Sequence, residues 1–328
     1  MEQYNRRLQG CLAALGFLIL ILDSRQALEG ARSGMELCMK TVIPSLFPFF
    51  VLSGMLTNAL GHAASRPTAA LCRLLGIPAT AASVLIPSFL GGYPVGAKCV
   101  GTLYETGQID RHQGERMLAF CSNAGPSFLF GMVSGFFPEG TWIWLLWLVL
   151  ISGAVLTAAA IPASPYREQA TEQKPQREKQ TVLSSAAKAM GMVCCWVVLF
   201  RMVLAFLEAW VLWALPGWAQ VLVSGILELT NGCCGLMLIE DLRLRFLLCA
   251  CMLSFGGICV LLQTASVIHG LSLGSYLRGK LIQTAFTFLL SCAVVLPYGL
   301  FFAGGVPLLV MLLRKNKIRY GNPGIFPV

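Results

Sequence analysis

Leu85–Gly101, LIPSFLGGYPVGAKCVG, places two prolines, four glycines and a lysine inside a run that is otherwise apolar. Proline removes a backbone donor, and glycine weakens a helix, so this stretch cannot be one continuous helix. Its surroundings make that break expensive. Of the 328 residues, 56% are hydrophobic and 12% charged, and the mean hydropathy is +0.72. A soluble domain does not have this composition. The chain reads as an integral membrane protein. In hydrocarbon every unsatisfied N–H or C=O costs several kcal/mol, so an interrupted helix persists only where it is buried in protein or lines a wet cavity.

A bilayer core about 30 Å thick needs about 20 mostly apolar residues per helix. The clearest spans are 141–161, 190–215, 246–268 and 281–302. Shorter or weaker ones are 8–22, 42–60, 74–90, 117–137 and 220–239. The net charge of +9 is carried by residues flanking these segments: Arg6 and Arg7, then Arg167, Lys174, Arg177 and Lys179, then Arg314, Lys315, Lys317 and Arg319. That distribution fits cytoplasmic loops rather than nucleic-acid binding. Arg25, Arg32 and Lys40 alternate with Asp23, Glu29 and Glu36, which reads as an amphipathic surface helix. The first apolar run is read as a retained anchor rather than a cleaved signal, since no small-x-small site follows it. The cysteines lie mostly in apolar segments without metal-ligand spacing and read as packing residues.

The polar, proline-bearing stretch PASPYREQATEQKPQREK divides the chain. The organisation expected is a membrane half over 1–161, a cytoplasmic linker over 162–182, a second membrane half over 183–313 and a basic tail over 314–328. Each half repeats one order of parts: a long apolar segment, a glycine-rich break, and a further apolar segment opening on small polar residues and glycine. In the first half the parts are TVIPSLFPFFVLSGML, FLGGYPVGAK and FCSNAGPSFLFG; in the second they are MGMVCCWVVLFRMVLAFL, ILELTNGCCGL and MLSFGGICVLLQ. The fold class is all-α: a polytopic transmembrane helical bundle of two related halves, expected as an inverted repeat, with broken or re-entrant helices. Paired broken helices point to a transporter's substrate site, although small residues also serve helix packing.

Four motifs in this order, GGYPVGAK, NAGPSFLFG, LELTNG and LSFGGICVLLQ, resemble the YlbJ (SpoVV) family of sporulation integral membrane proteins of endospore-forming bacteria. The resemblance covers about 34–300. It extends to the wider group with a nucleoside-recognition or Gate domain, a module shared with concentrative nucleoside transporters. It implies a membrane protein of the outer forespore membrane that moves dipicolinic acid, pyridine-2,6-dicarboxylate, toward the spore. This chain departs from typical members in its short linker and short tail.

The residues expected to form the site follow from the breaks. Gly92, Pro94 and Gly96 shape the first, with Tyr93 able to stack on an aromatic ring or merely to pack. Lys98 either meets an anionic substrate or reaches the interface and pairs with Glu105. Ser122, Asn123 and Gly125 open the next segment. In the second half Glu228, Thr230, Asn231 and Gly232 form the break, and Ser254, Gly256 and Gln263 follow. Arg201, inside an apolar span, costs roughly 2.5–3.5 kcal/mol there and needs a partner. That partner is Glu208, Glu228 or the substrate. Glu228 would neutralise a cation in the empty state or take up a proton. The segment 101–117 reads as a solvated surface loop, with Asp110 capping a helix and His112 exposed.

No HExxH, GxSxG or phosphate loop is present, and the three histidines lack an acid–base pairing, so an enzyme is not expected. No cofactor or metal is expected. The partners expected are a small organic anion and the lipid bilayer, with no nucleic acid, and a homo-oligomer is compatible with the sequence. A non-transporting scaffold and a nucleoside-type transporter stay open as alternatives.

Overall fold

Gly30 and Gly34 stand one helical turn apart, on one face, and a Cβ on either would lie 2.9 Å from backbone: from Met202 Cα and Val198 Cα respectively. This small-xxx-small face lets two long helices touch, which is how membrane helices gain packing when lipid offers no hydrophobic drive. The computed structural model in which this contact is seen describes residues 16–60, 66–162 and 181–315, with Gly10 and Ala14. The expected linker and basic tail, with Arg6, Arg7 and His62, fall largely outside the described residues.

Every regular element among the described residues is helical. The first half comprises α1 Ser24–Leu37, α2 Ile43–Leu60, α3 Arg66–Leu75, α4 Ala82–Leu90, α5 Val95–Glu105, α6 Arg111–Leu118, α7 Pro126–Gly131 and α8 Gly140–Ala160. The second comprises α9 Val182–Trp210, α10 Gly217–Leu227, α11 Leu229–Gly235, α12 Leu242–Phe255, α13 Gly257–Ala265, α14 Leu273–Val295 and α15 Gly299–Lys315. Among the described residues four stretches are long and apolar enough to cross a membrane: Ser24–Leu52, Gly140–Ala160, Val182–Trp210 and Leu242–Ala265. The chain is an integral membrane protein.

The parts correspond pair by pair. α2 packs on α4 and α7 as α9 packs on α10 and α13; α8 packs on α7 and α12 as α14 packs on α13 and α6; and α2 meets α9 as α8 meets α14. The two halves meet through α2 with α9 and through α8 with α14.

Three expectations change. The amphipathic segment after Asp23 is not confined to a surface: it runs through the π turn Cys38–Val42 into α2 and packs along α9, keeping the Arg25–Glu29 and Lys40–Glu36 pairs on its exposed side. The span expected over 281–302 is two helices, because α14 starts earlier and the chain turns at Leu296. The expected surface loop folds inward. Asp110 does cap α6, in a capping box with Gln113, and His112 is exposed, but Gln113, Glu115 and Arg116 are buried. Arg116 donates to the carbonyls of Leu75 and Gly76, at the end of α3, and of Ala158, Ile161 and Pro162, at the end of α8. A guanidinium thus satisfies the orphan acceptors of two helix C-termini, where a cation is also favoured by the helix dipoles. Arg245, in the first turn of α12, also donates to carbonyls, those of Phe136 and Ile239. Glu115 accepts from Ser272 N (3.2 Å) and Ser275 Oγ (3.2 Å), holding the start of α14.

Candidate functional site

The first break begins where Gly91 closes α4 and Gly92 turns with φ 75°, a conformation that favours glycine. A cis Tyr93–Pro94 bond follows, and α5 starts at Val95. The break seats against a second one, between α6 and α7. A Cβ on Gly96 would lie 1.8 Å from Cys121 O, and one on Gly125 would lie 2.9 Å from Gly92 N and Cα. Backbone packs directly on backbone here, which only glycine permits.

In the second half Glu228 adopts an extended conformation (φ −142°, ψ 117°) between α10 and α11. Its carboxylate accepts from Thr230 N (3.0 Å), Asn231 N (2.7 Å) and Asn231 Nδ2 (2.7 Å). The exposed N-terminal donors that a broken helix would offer to a ligand are therefore taken by the chain's own carboxylate. Gly232 packs on Gly225, with a Cβ 2.2 Å from Gly225 Cα, and the break from α12 to α13 turns at Gly256, φ 87°.

Between the two sets of breaks lies a narrow cleft. Corresponding parts of both halves line it: Val42 and Leu46 opposite Val193 and Val197, Gly92 and Tyr93 opposite Glu228, Leu229 and Thr230, and Ala124, Gly125 and Phe128 opposite Val260 and Gln263. An apolar wall with a few polar groups is the usual make-up of a small-molecule site.

Tyr93 links the halves. Its hydroxyl reaches Leu253 O (3.1 Å) and Ser254 O (3.2 Å), and its ring lies under Gly256. From the other side Lys280 Nζ donates to it at 3.2 Å. Lys280, wholly buried on α14, also donates to Ser122 O and to Gln283 Oε1 (2.8 Å), and lies 5.0 Å from the centre of the Tyr93 ring. Gly279 makes this reach possible, since a Cβ there would stand 2.3 Å from Ala119 Cα. Gln283 Nε2 donates to Asn123 Oδ1 at 2.8 Å, and Thr287 Oγ1 to Ser254 Oγ at 3.1 Å.

Of the residues expected from the sequence, Gly92, Tyr93, Gly125, Glu228, Thr230 and Gln263 line the cleft. Pro94, Gly96, Ser122, Asn123, Gly232, Ser254 and Gly256 build its frame, and Asn231 serves the Glu228 cap. Lys98 and Arg201 lie outside the lining. Lys98 Nζ donates to Ser185 Oγ (2.8 Å) on α9. Arg201 pairs with Glu208 at 2.7 Å and donates to Ser33 Oγ at 3.2 Å, rather than reaching Glu228. Sequence reasoning named Tyr93 and Ser122 but missed Lys280 and Gln283, although Tyr276, Lys280, Gln283, Thr287 and Ser291 form a stripe at helical spacing, and all are buried.

Compared with known proteins, the chain is 29% identical over 181 residues to the sporulation integral membrane protein YlbJ of Bacillus subtilis. The match takes in 52% of this chain and 43% of the relative, so the chain matches less than half the length of that curated protein. It agrees with the resemblance carried by the four motifs. No family model matches the chain. No solved structure matches it either.

Proposed function

We propose that the protein is a carrier in sporulating bacteria that moves a small planar organic anion, pyridine-2,6-dicarboxylate first among candidates, through the cleft between its two halves. The outer forespore membrane is its expected location, and no catalysis is involved. The observation that carries this reading is the cleft itself: one cavity, lined by equivalent parts of two halves, at the place where four helices are interrupted. Interrupted helices at a repeat interface are how carriers build a site that rocking of one half against the other can expose alternately, and an inverted arrangement of the halves belongs to this proposal. The likeness to a sporulation membrane protein supports the cellular setting, and the Tyr93 ring in the cleft supports a planar ligand. A Gate-type relation to nucleoside carriers would place the same kind of site in the same position.

The test is dipicolinate accumulation in spores of a strain whose own carrier is deleted, complemented with this chain. Rescue by the wild type, with loss on Gly92→Val or Tyr93→Ala in variants that reach the membrane, is expected. Correct membrane insertion without rescue would instead favour a scaffold or a carrier of another substrate.

A further inference from the structure

Among the described residues two buried cations, Arg116 and Lys280, hydrogen-bond to neutral acceptors, and they differ in what surrounds them. Arg116 sits among the C-terminal carbonyls of two helices, whose dipoles offset its charge. Lys280 has one carbonyl, one amide oxygen and one hydroxyl.

The polarity of this network is fixed from its far end. Asn123 Nδ2 faces the carbonyls of Phe120 (2.9 Å) and Ser88 (3.4 Å), so its Oδ1 must face Gln283. Gln283 then presents Nε2 to Asn123 and Oε1 to Lys280. The Tyr93 hydroxyl directs its one proton to the Leu253 or Ser254 carbonyl and leaves a lone pair for Lys280. With the Ser122 carbonyl, three acceptors converge on Nζ, matching the three hydrogens of an ammonium ion. An ammonium there meets three neutral acceptors and no carboxylate within hydrogen-bond distance.

The same surroundings contain further hydroxyls. Ser122 Oγ, Thr264 Oγ1 and Tyr276 Oη are buried and cluster together, with no partner outside the cluster. The Tyr276 hydroxyl faces those of Ser122 and Thr264, and its ring centre lies 5.9 Å from Nζ. Three buried hydroxyls served only by one another keep donor capacity for an added acceptor. A carboxylate, with about four lone-pair sites on two oxygens, would satisfy both the charge and the hydroxyl donors.

We propose that Lys280, with the hydroxyls of Ser122, Thr264 and Tyr276, forms a carboxylate-binding subsite that a small organic anion enters from the cleft when Tyr93 swings off the ammonium. Tyr93 is the partition: one side of it lines the cleft, and its hydroxyl holds Lys280 on the other. Its replacement by a carboxylate exchanges a neutral acceptor for a charged one, which is the stronger hydrogen bond. The subsite rests on the reading of the cleft as a substrate path, and the test separates the two.

Purified full-length protein is titrated calorimetrically with pyridine-2,6-dicarboxylate and with its neutral diamide, and uptake of the labelled dianion is measured in proteoliposomes. The expected result is binding of the dianion and not of the diamide, weakened at least about tenfold by Lys280→Gln. Tyr93→Phe, which removes the competing acceptor and keeps the ring, strengthens binding a few-fold. Should Lys280→Gln not fold, Tyr276→Phe and Ser122→Ala carry the test, each expected to weaken binding about threefold or more. Unchanged affinity in a folded Lys280→Gln, or in both hydroxyl variants, overturns the subsite, as does wild-type protein that does not distinguish the dianion from the diamide. Binding with no uptake overturns the carrier and leaves the subsite. Uptake undiminished by Lys280→Gln does the reverse.

Discussion

Gly96 and Cys121 meet backbone to backbone, so closely that a single methyl group on Gly96 would stand 1.8 Å from the Cys121 carbonyl oxygen. No rotamer change can relieve that overlap. Gly96→Ala is expected to force the two breaks of the first half apart and to destabilise the protein by about 3 kcal/mol, at the upper end of overpacking costs. Gly191, inside α9 with nothing within 4 Å of its Cβ position, is the control. Gly191→Ala should be neutral or gain up to about 1 kcal/mol. Thermal unfolding of both variants in one detergent checks the contrast.

Arg116 should be the most demanding charged position in the first half. Removing it leaves acceptors at the ends of α3 and α8 unsatisfied, and Arg116→Met is expected to cost about 3 kcal/mol or more. Arg116→Lys should recover little, because an ammonium has three hydrogens where the guanidinium has five in a planar fork. Stability close to wild type in the lysine variant, measured by denaturant titration, would show that charge alone suffices.

Glu228→Gln separates capping from recognition. The amide keeps one oxygen where the carboxylate uses two to hold Thr230 N and Asn231 N, so a loss of about 1 kcal/mol is expected. The same change removes a negative charge from the cleft wall, and affinity for an organic anion should rise. Unfolding and titration of one preparation read both effects; a fall in anion affinity would give Glu228 a direct role in holding the ligand.

Arg201 and Glu208 are expected to behave as a partly exposed ion pair. A double-mutant cycle should give a coupling of at most about 1 kcal/mol, with anion affinity unchanged in either single variant. Lys98→Ala, which frees Ser185, should likewise leave affinity intact. A loss of affinity in folded Arg201→Ala or Lys98→Ala would bring that cation back to the ligand.

The breaks were legible because clusters of glycine and proline are local statements: Gly91, Gly92 and Pro94 together, or Gly256 with Gly257, weigh against a continuous helix, whereas the single prolines Pro48 and Pro87 sit inside helices. Direction around a helix was not. Lys98 lies four residues beyond Pro94, yet the turn of α5 carries it to α9 rather than into the cleft. Lys280 escaped notice because apolarity begins at Leu281 and the helix does not: α14 starts at Leu273, and the polar stripe along it counts against a lipid-facing span while marking an inward face. The segment from Asp110 resembles a surface because its charges are dense, and the partners that bury them, Ser272 and the ends of α3 and α8, are remote in the chain.

That remoteness sets an order of events during biogenesis. Glu115 waits for Ser272 and Ser275, which are 157 and 160 positions downstream, and Asn123 waits for Gln283 at a similar distance. Ribosomes deliver these groups last. Until α14 is translated and inserted, the first half holds Glu115 through Arg111 alone, and the Asn123 amide oxygen lacks its final partner. Truncation before residue 272 therefore should not yield a stable half-protein, and the closing helix of the bundle decides whether everything synthesised before it is kept or degraded.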